Sequence, residues 1–496
     1  MEPTDSFDSL ELPAMTAGSI ARKFGPGMML MMTGIGTSHL VTAPVAGGRY
    51  GFALLWCLPI AYIFKYYGFE MAIRFTHATG RSMLDAYATA WKKLPVWYVL
   101  ITTIIQSAVG QAGRLIAAAA VVFYFVRRYL GIDLPGVNDD MELAVYGFML
   151  GILSVAIILK GRYVVVELAT KIAAGILIVC TFFVYAVQPA PLGELVHFFQ
   201  LQTPEGSWLI IASFLGLLPT GIDVSLQASE WGKAKRVGMG RLRGELEELG
   251  LAKRFDAFDG TKKDLAVDTG KLPEHAREYC RRWFRIGLLD FRVGHVISFV
   301  LATIFLVLAA VWLYPSDVSG NAVMGEIARI FTDSVGPGLM VIFLAGALAA
   351  TYSTAFNYFD GWPRVVGACC RNLFKKTAGL PRTSSEALDE TQRKTWYSEY
   401  NIYRISMLFS LIASVAIIAG LPRPVYLVLV ASALAYFVAP VIFFLNIYYC
   451  RTVIPKDDKI FYPSTFATWF AWISLVVFTG MSAILILQRL FGIELW

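Results

Sequence analysis

The chain has 496 residues, 57% of them hydrophobic and only 16% charged, with a mean hydropathy of +0.59. Soluble domains carry about 25% charged residues, and apolar runs of about 20 residues are the length that crosses a bilayer core. A net charge of +7 would suit a nucleic-acid partner in a soluble protein. In a chain of this kind the distribution of charge matters more than its sum, and no nucleic-acid partner is expected.

Residues 1–24 read as a short polar tail with no apolar core of signal-peptide length. Beyond it, apolar runs between charged or Pro/Gly-rich breaks predict eleven spans, at roughly 25–48, 52–76, 96–126, 143–159, 163–188, 207–230, 291–314, 336–360, 403–421, 424–448 and 464–488. The expected fold class is an all-α polytopic membrane protein. Its expected divisions are the tail 1–24, a first unit 25–230, a loop 231–290 and a remainder 291–496. Cys57, Cys180, Cys280, Cys369, Cys370 and Cys450 fall in apolar runs or basic loops, which predicts free thiols.

Orientation follows from the basic residues. With the N-terminus inside, the inner segments hold 31 Lys and Arg and the outer segments hold six, so a cell-membrane protein with a cytoplasmic N-terminus is expected. The two long loops, 231–290 and 361–402, are then both cytoplasmic. The mixed charges of 231–290 predict a helix-rich, solvated excursion. Its acids Asp256, Asp259, Asp264 and Asp268 lack calcium-loop spacing.

An internal echo is the most informative feature. Thr33-Gly34-Ile35-Gly36-Thr37-Ser38 in the first span is matched by Thr220-Gly221-Ile222-Asp223-Val224-Ser225 in the sixth, directly after Pro219. Glycine and proline weaken helix continuity, and freed backbone groups at membrane depth must face protein, water or a ligand. Corresponding broken helices in two halves mark inverted-repeat transporters with a midplane site. The competing explanation is that small residues only permit close helix packing.

Gly25-Pro26-Gly27, Ala46-Gly47-Gly48, Tyr50-Gly51, Ala53-Leu54-Leu55-Trp56 and Ala78-Thr79-Gly80-Arg81 resemble the opening of the Nramp metal-ion transporters. The resemblance is clear over residues 20–90 and elsewhere rests on span order. It implies a LeuT-type fold of two inverted five-helix repeats, broken helices 1 and 6, and a final extra helix. Departures fall at the chemistry. Where that family carries Asp-Pro-Gly-Asn, this chain has Gly36, Thr37, Ser38 and His39. Where the family's sixth helix carries Met-Pro-His, one register gives Leu218 and Thr220 in place of Met and His, and another gives Gly221 and Asp223. The methionine is missing in both, and the third span offers Gln106, Gln111 and Arg114 in place of acids.

The substrate-binding candidates are therefore Gly34, Gly36, Thr37, Ser38, His39, Thr220, Gly221, Asp223 and Ser225, with Asp223 and His39 as metal ligands. Without a thioether the ligands are hard, which suits magnesium or manganese over soft metals. One carboxylate is few for a divalent cation, and the exposed N–H groups of a broken helix also bind carboxylates. The readings are thus an ion-coupled transporter of a divalent cation, with a proton or sodium as coupling ion; a transporter of a small organic solute; or a non-transporting membrane sensor. No enzyme is expected, since no nucleophile–base motif or His/Cys cluster occurs, and no cofactor is implied. Asp223 has a helix-cap role as its alternative. Glu230 reads as interfacial, Glu70–Arg74 and Glu167–Lys171 as i,i+4 pairs, and Arg114 as needing a partner. Arg404 resembles an arginine of the family's ninth helix that is linked to proton movement. For the topology, a membrane-impermeant thiol reagent added from outside should label a cysteine introduced in 315–335 and miss one in 231–290; the reverse pattern would overturn the span count.

Overall fold

The computed structural model describes Phe7 and residues 10–36, 38–187, 189, 191–316, 338–380 and 390–491. Among these residues all regular structure is helical. The first span is broken: α1 (Pro26–Ile35) and α2 (Ala43–Tyr50) are joined through Gly36 and a wide π-type turn over Ser38–Thr42. Next come α3 (Cys57–Thr79), α4 (Trp91–Arg127) and α5 (Asp139–Val187). The sixth span is broken as well, into α6 (Trp208–Leu217) and α7 (Val224–Ala234). The chain then forms α8 (Glu274–Trp312), α9 (Gly338–Leu373), α10 (Glu399–Gly420), α11 (Pro424–Val453) and α12 (Thr465–Phe491).

By length and composition, seven helical stretches among the described residues can cross a membrane, two of them within α5. The helical segments follow the predicted spans in order, with three corrections at their ends. The predicted fourth and fifth spans form one uninterrupted helical run, α5, which contains the apolar stretches Asp139–Lys160 and Val164–Phe183. The three residues between them include no proline, so nothing forces the ladder to stop. α8 begins at Glu274, well before the predicted 291, because paired charges keep its first turns helical. Glu278 there binds both Arg281 and Arg282, at 2.5 and 2.9 Å. α9 runs on through Pro363 to Leu373, so the predicted loop 361–402 starts as helix. The rest of that loop includes 381–389, and the predicted outer loop 315–335 falls mostly within 317–337; both ranges lie outside the described residues.

Packing joins the two halves of the chain. α8 lies along α1, α2 and α3, while α9 rests on α4, α5 and α10, and α11 on α3, α4 and α6. Residues 231–290 carry a helix at Met239–Glu248 that packs on the end of α3. The buried Arg243 of that helix holds the excursion in shape. Its guanidinium donates to the carbonyls of Thr79, Lys253, Asp264 and Leu265 and to the Glu247 carboxylate, at 2.7–3.0 Å. The polar tail is also seated: the Leu10 carbonyl lies 2.7 Å from His275 Nε2, and Phe7 is fully buried.

The start of α1 depends on α8. A helix leaves its first N–H groups without intrahelical partners. Here the Asp290 carboxylate accepts from the N–H groups of Gly25, Gly27 and Met28 at 2.8–2.9 Å. Lys235 Nζ donates to the carbonyls of Lys23 and Phe24, both at 3.0 Å, and to Glu167 Oε1 at 2.7 Å. Replacing Asp290 by Ala should therefore orphan three donors and cost about 1–3 kcal/mol. A thermal-unfolding scan of the purified variant that matches the parent protein would refute this anchoring.

Candidate functional site

The two breaks meet each other. A Cβ built on Gly34 would fall on the Pro219 carbonyl and against Thr220, so only glycine lets the first helix pass the sixth this closely. Gly36 is equally confined: a Cβ there would strike the Thr354 hydroxyl and the Ala350 carbonyl on α9. Thr354 Oγ1 in turn accepts from the Gly36 N–H at 2.9 Å and lies 3.2 Å from the Met32 carbonyl, repairing the ladder where α1 stops. The close-packing explanation of these glycines is thus satisfied together with the broken-helix one.

Asp223 begins α7, yet its side chain makes no capping hydrogen bond. The residue is half-buried, but its Oδ1 is shut off from solvent, has no hydrogen-bond partner and folds back over Gly221, where a Cβ would collide with it. Arg114, Lys65 and Trp362 are its charged and hydrogen-bonding neighbours. The side chain therefore does not cap α7, and its free oxygen stands three residues beyond the contact of Gly34 with Thr220.

Arg114 finds its partners here. From α4 its guanidinium stacks over the rings of Tyr358 and Trp362, with centroids at 3.8 and 4.9 Å, and donates to the Gly110 carbonyl at 2.6 Å. Tyr358 lies 3.3 Å, hydroxyl to hydroxyl, from Thr220. Around this group sit buried amides with no partners: both polar atoms of Gln106 and of Gln227, and Oε1 of Gln111. A Cβ on Gly110 would touch Gln106 and Arg114, and one on Gly361 would touch Gln227. The half-buried Asp223 and the buried Arg114, Thr220, Tyr358, Trp362 and Gln106 thus form one polar group.

Sequence reasoning missed Lys65. It lies in the middle of α3, fully buried, and its ammonium donates to the carbonyls of Leu215, Gly216, Leu218 and Thr220 at 3.0, 2.9, 2.7 and 2.6 Å. The first two are carbonyls that α6 leaves free where it ends, and the other two belong to the break that follows. α3 can come this near because Gly68, one turn on, packs against Ile222 and Phe443. The signal that could have found it is a lone lysine within an apolar span, which is a functional hypothesis by default.

The other candidates are distributed differently. His39 Nε2 lies 3.1 Å from the Tyr62 hydroxyl and 2.9 and 3.1 Å from the carbonyl and hydroxyl oxygens of Ser298, with the Gly34 carbonyl a further partner. The imidazole is therefore engaged between α3, α8 and the first break, and is not among the residues grouped around Asp223. Ser225 faces the opposite side of α7, where its hydroxyl accepts from the Asn446 amide at 2.8 Å. That amide also donates to the Gly68 carbonyl at 2.9 Å, so Ser225 belongs to the seam with α3 and α11. Thr37 and the Ser38 side chain lie outside the described residues. Among the described residues no three His, Cys, Asp or Glu side chains come together as a metal cluster. The expected pairs are formed: Glu70–Arg74 at 2.5 Å and Glu167–Lys171 at 2.6 Å. Glu230 joins an end-of-helix network, 3.8 Å from Lys233 and 4.0 Å from Arg371.

Comparison with known proteins agrees with this architecture. The fold resembles that of a manganese transporter from Eremococcus coleocola, solved in a mutant form, with a TM-score of 0.63 and 11% identity over 97% of this chain and 90% of that one. It also resembles Mhp1, a nucleobase-cation-symport-1 family transporter, with a TM-score of 0.53 and 11% identity over 93% of this chain and 86% of that one. Both likenesses concern the fold, which is the LeuT type. An uncharacterised protein of Pasteurella multocida (strain Pm70) is 20% identical over 475 residues, 94% of this chain and 92% of its own length. The natural resistance-associated macrophage protein-like family matches residues 27–488, and this multi-pass chain therefore belongs to the Nramp family of membrane transporters.

Proposed function

We propose that the protein is a secondary active transporter of a divalent metal cation, with magnesium or manganese preferred over softer metals. The observation that carries this is Asp223, half-buried three residues beyond the point where the two broken helices touch, with an oxygen that is shut off from solvent and has no partner. Tyr358, which interacts with it, and Thr220, which meets Tyr358, offer hydroxyls, and among the described residues grouped around it there is no sulfur or imidazole. A cation held by so few protein groups must keep part of its water shell. Magnesium does so by preference, and oxygen ligands suit manganese as well. Family membership and the manganese-transporter likeness support a metal cargo. In this reading the chain works in the cell membrane with its N-terminus and residues 231–290 in the cytoplasm.

A second reading, a small polar organic solute, is favoured by Arg114 and by the unpaired amides of Gln106 and Gln227. Two fixed cations, Arg114 and Lys65, face one carboxylate, so a divalent cation depends wholly on Asp223. An anionic or amide-bearing solute would instead use the guanidinium and the amides.

Substitutions separate the two. Asp223→Asn should abolish thermal stabilisation by magnesium and manganese and uptake of either into proteoliposomes, with insertion and folding intact. Asp223→Glu should retain part of both. Normal uptake by the Asn variant would sink the role of Asp223. Arg114→Gln should tighten metal binding, since it removes a like charge, by roughly tenfold; loss of binding in that variant would favour the organic solute. In competition for uptake by the parent protein, magnesium or manganese should outcompete cadmium, and a strong cadmium preference would refute the hard-ligand assignment.

A further inference from the structure

A helix that stops inside a membrane leaves its last carbonyls without partners and carries the negative end of its dipole there. A free cation commonly fills such a place. At the end of α6 the carbonyls of Leu215, Gly216, Leu218 and Thr220 converge on a single point, and the point is occupied by the Lys65 ammonium. An ammonium has three protons, here shared among four acceptors, and no capacity to accept. The side chain is fully buried. The ring faces of Phe69 and Phe478, at 6.0 and 5.7 Å, line its other sides.

We propose that Lys65 is a tethered occupant of a cation cage, and that it determines specificity by keeping free monovalent cations of sodium size out of the sixth-helix break. The cation is supplied by the fold of α3, so the break needs no bound sodium to be stable, and the four carbonyls are not available to cargo. The assignment rests on Lys65 and the α6 carbonyls alone and stands whichever solute Asp223 receives.

The experiment uses the full-length purified protein in detergent, with choline chloride balancing ionic strength. The parent protein should show no sodium-specific rise in melting temperature. Lys65→Ala removes the three methylenes and ammonium beyond Cβ, which is the bulk of n-propylammonium. That variant should melt lower than the parent and be raised by n-propylammonium with the logarithmic concentration dependence of a ligand that binds only the folded state. Lys65→Met fills the space without charge, and should melt low without responding to n-propylammonium. A saturable sodium-specific stabilisation of the parent protein would overturn the proposal. So would a Lys65→Ala variant that melts with the parent, or one that melts low and gains nothing from n-propylammonium. Should Lys65→Ala fail to assemble, the comparison of sodium with choline on the parent protein decides alone.

Discussion

A peptide group inside a bilayer has no water to bond, so every interruption of a helix there must be repaired by protein. That constraint organises this molecule. The first helix stops at Gly36 and the sixth at Leu217, and each loose end is met by a side chain from a different helix. Thr354 on α9 serves the first break, and Lys65 on α3 serves the sixth. Asp290 on α8 serves the start of α1. Each break is thus tied by another helix, with Thr354 and Asp290 reaching the first helix from the second half of the chain and Lys65 reaching the sixth from the first.

The same repairs decide which polar groups remain free for a solute. His39 and Ser225 flank the breaks in sequence, and both are used up by helix seams, His39 against Tyr62 and Ser298 and Ser225 against Asn446. Asp223 is left with an oxygen unspent, next to Arg114 and the amide of Gln106. The site is therefore what remains after the backbone has been satisfied, and its chemistry is hard and charge-mixed, without sulfur.

Much of this was legible in the sequence, for a physical reason. Span order and the two breaks follow from apolar length and from the placement of Gly34, Gly36, Pro219 and Gly221, all of which are local properties. Asp223 stood out because an ionisable residue at a break is expensive. What could not be read was direction. A helical residue faces one of several neighbours depending on helix rotation, which packing sets; His39 and Ser225 turned to seams for that reason. Lys65 was hidden differently, since its meaning lies in four carbonyls that side-chain patterns do not encode. The continuation of α8 and α9 beyond the membrane was missed because charged turns can extend a helix as readily as end it.

The distance along the chain between Lys65 and its acceptors has a consequence for biosynthesis. Leu215 and Thr220 follow Lys65 by 150 and 155 residues. At about 5–20 residues per second, ribosomes reach them roughly 10–30 s after α3 has been made. Throughout that interval an ammonium sits in a span with no carbonyl cage, at a cost of about 2.5–3.5 kcal/mol at the bilayer centre. The nascent α3 is accordingly a poor lodger in lipid until α6 arrives. The carbonyls that arrive with α6 remove that cost, so the closing of the sixth-helix break also completes the burial of α3.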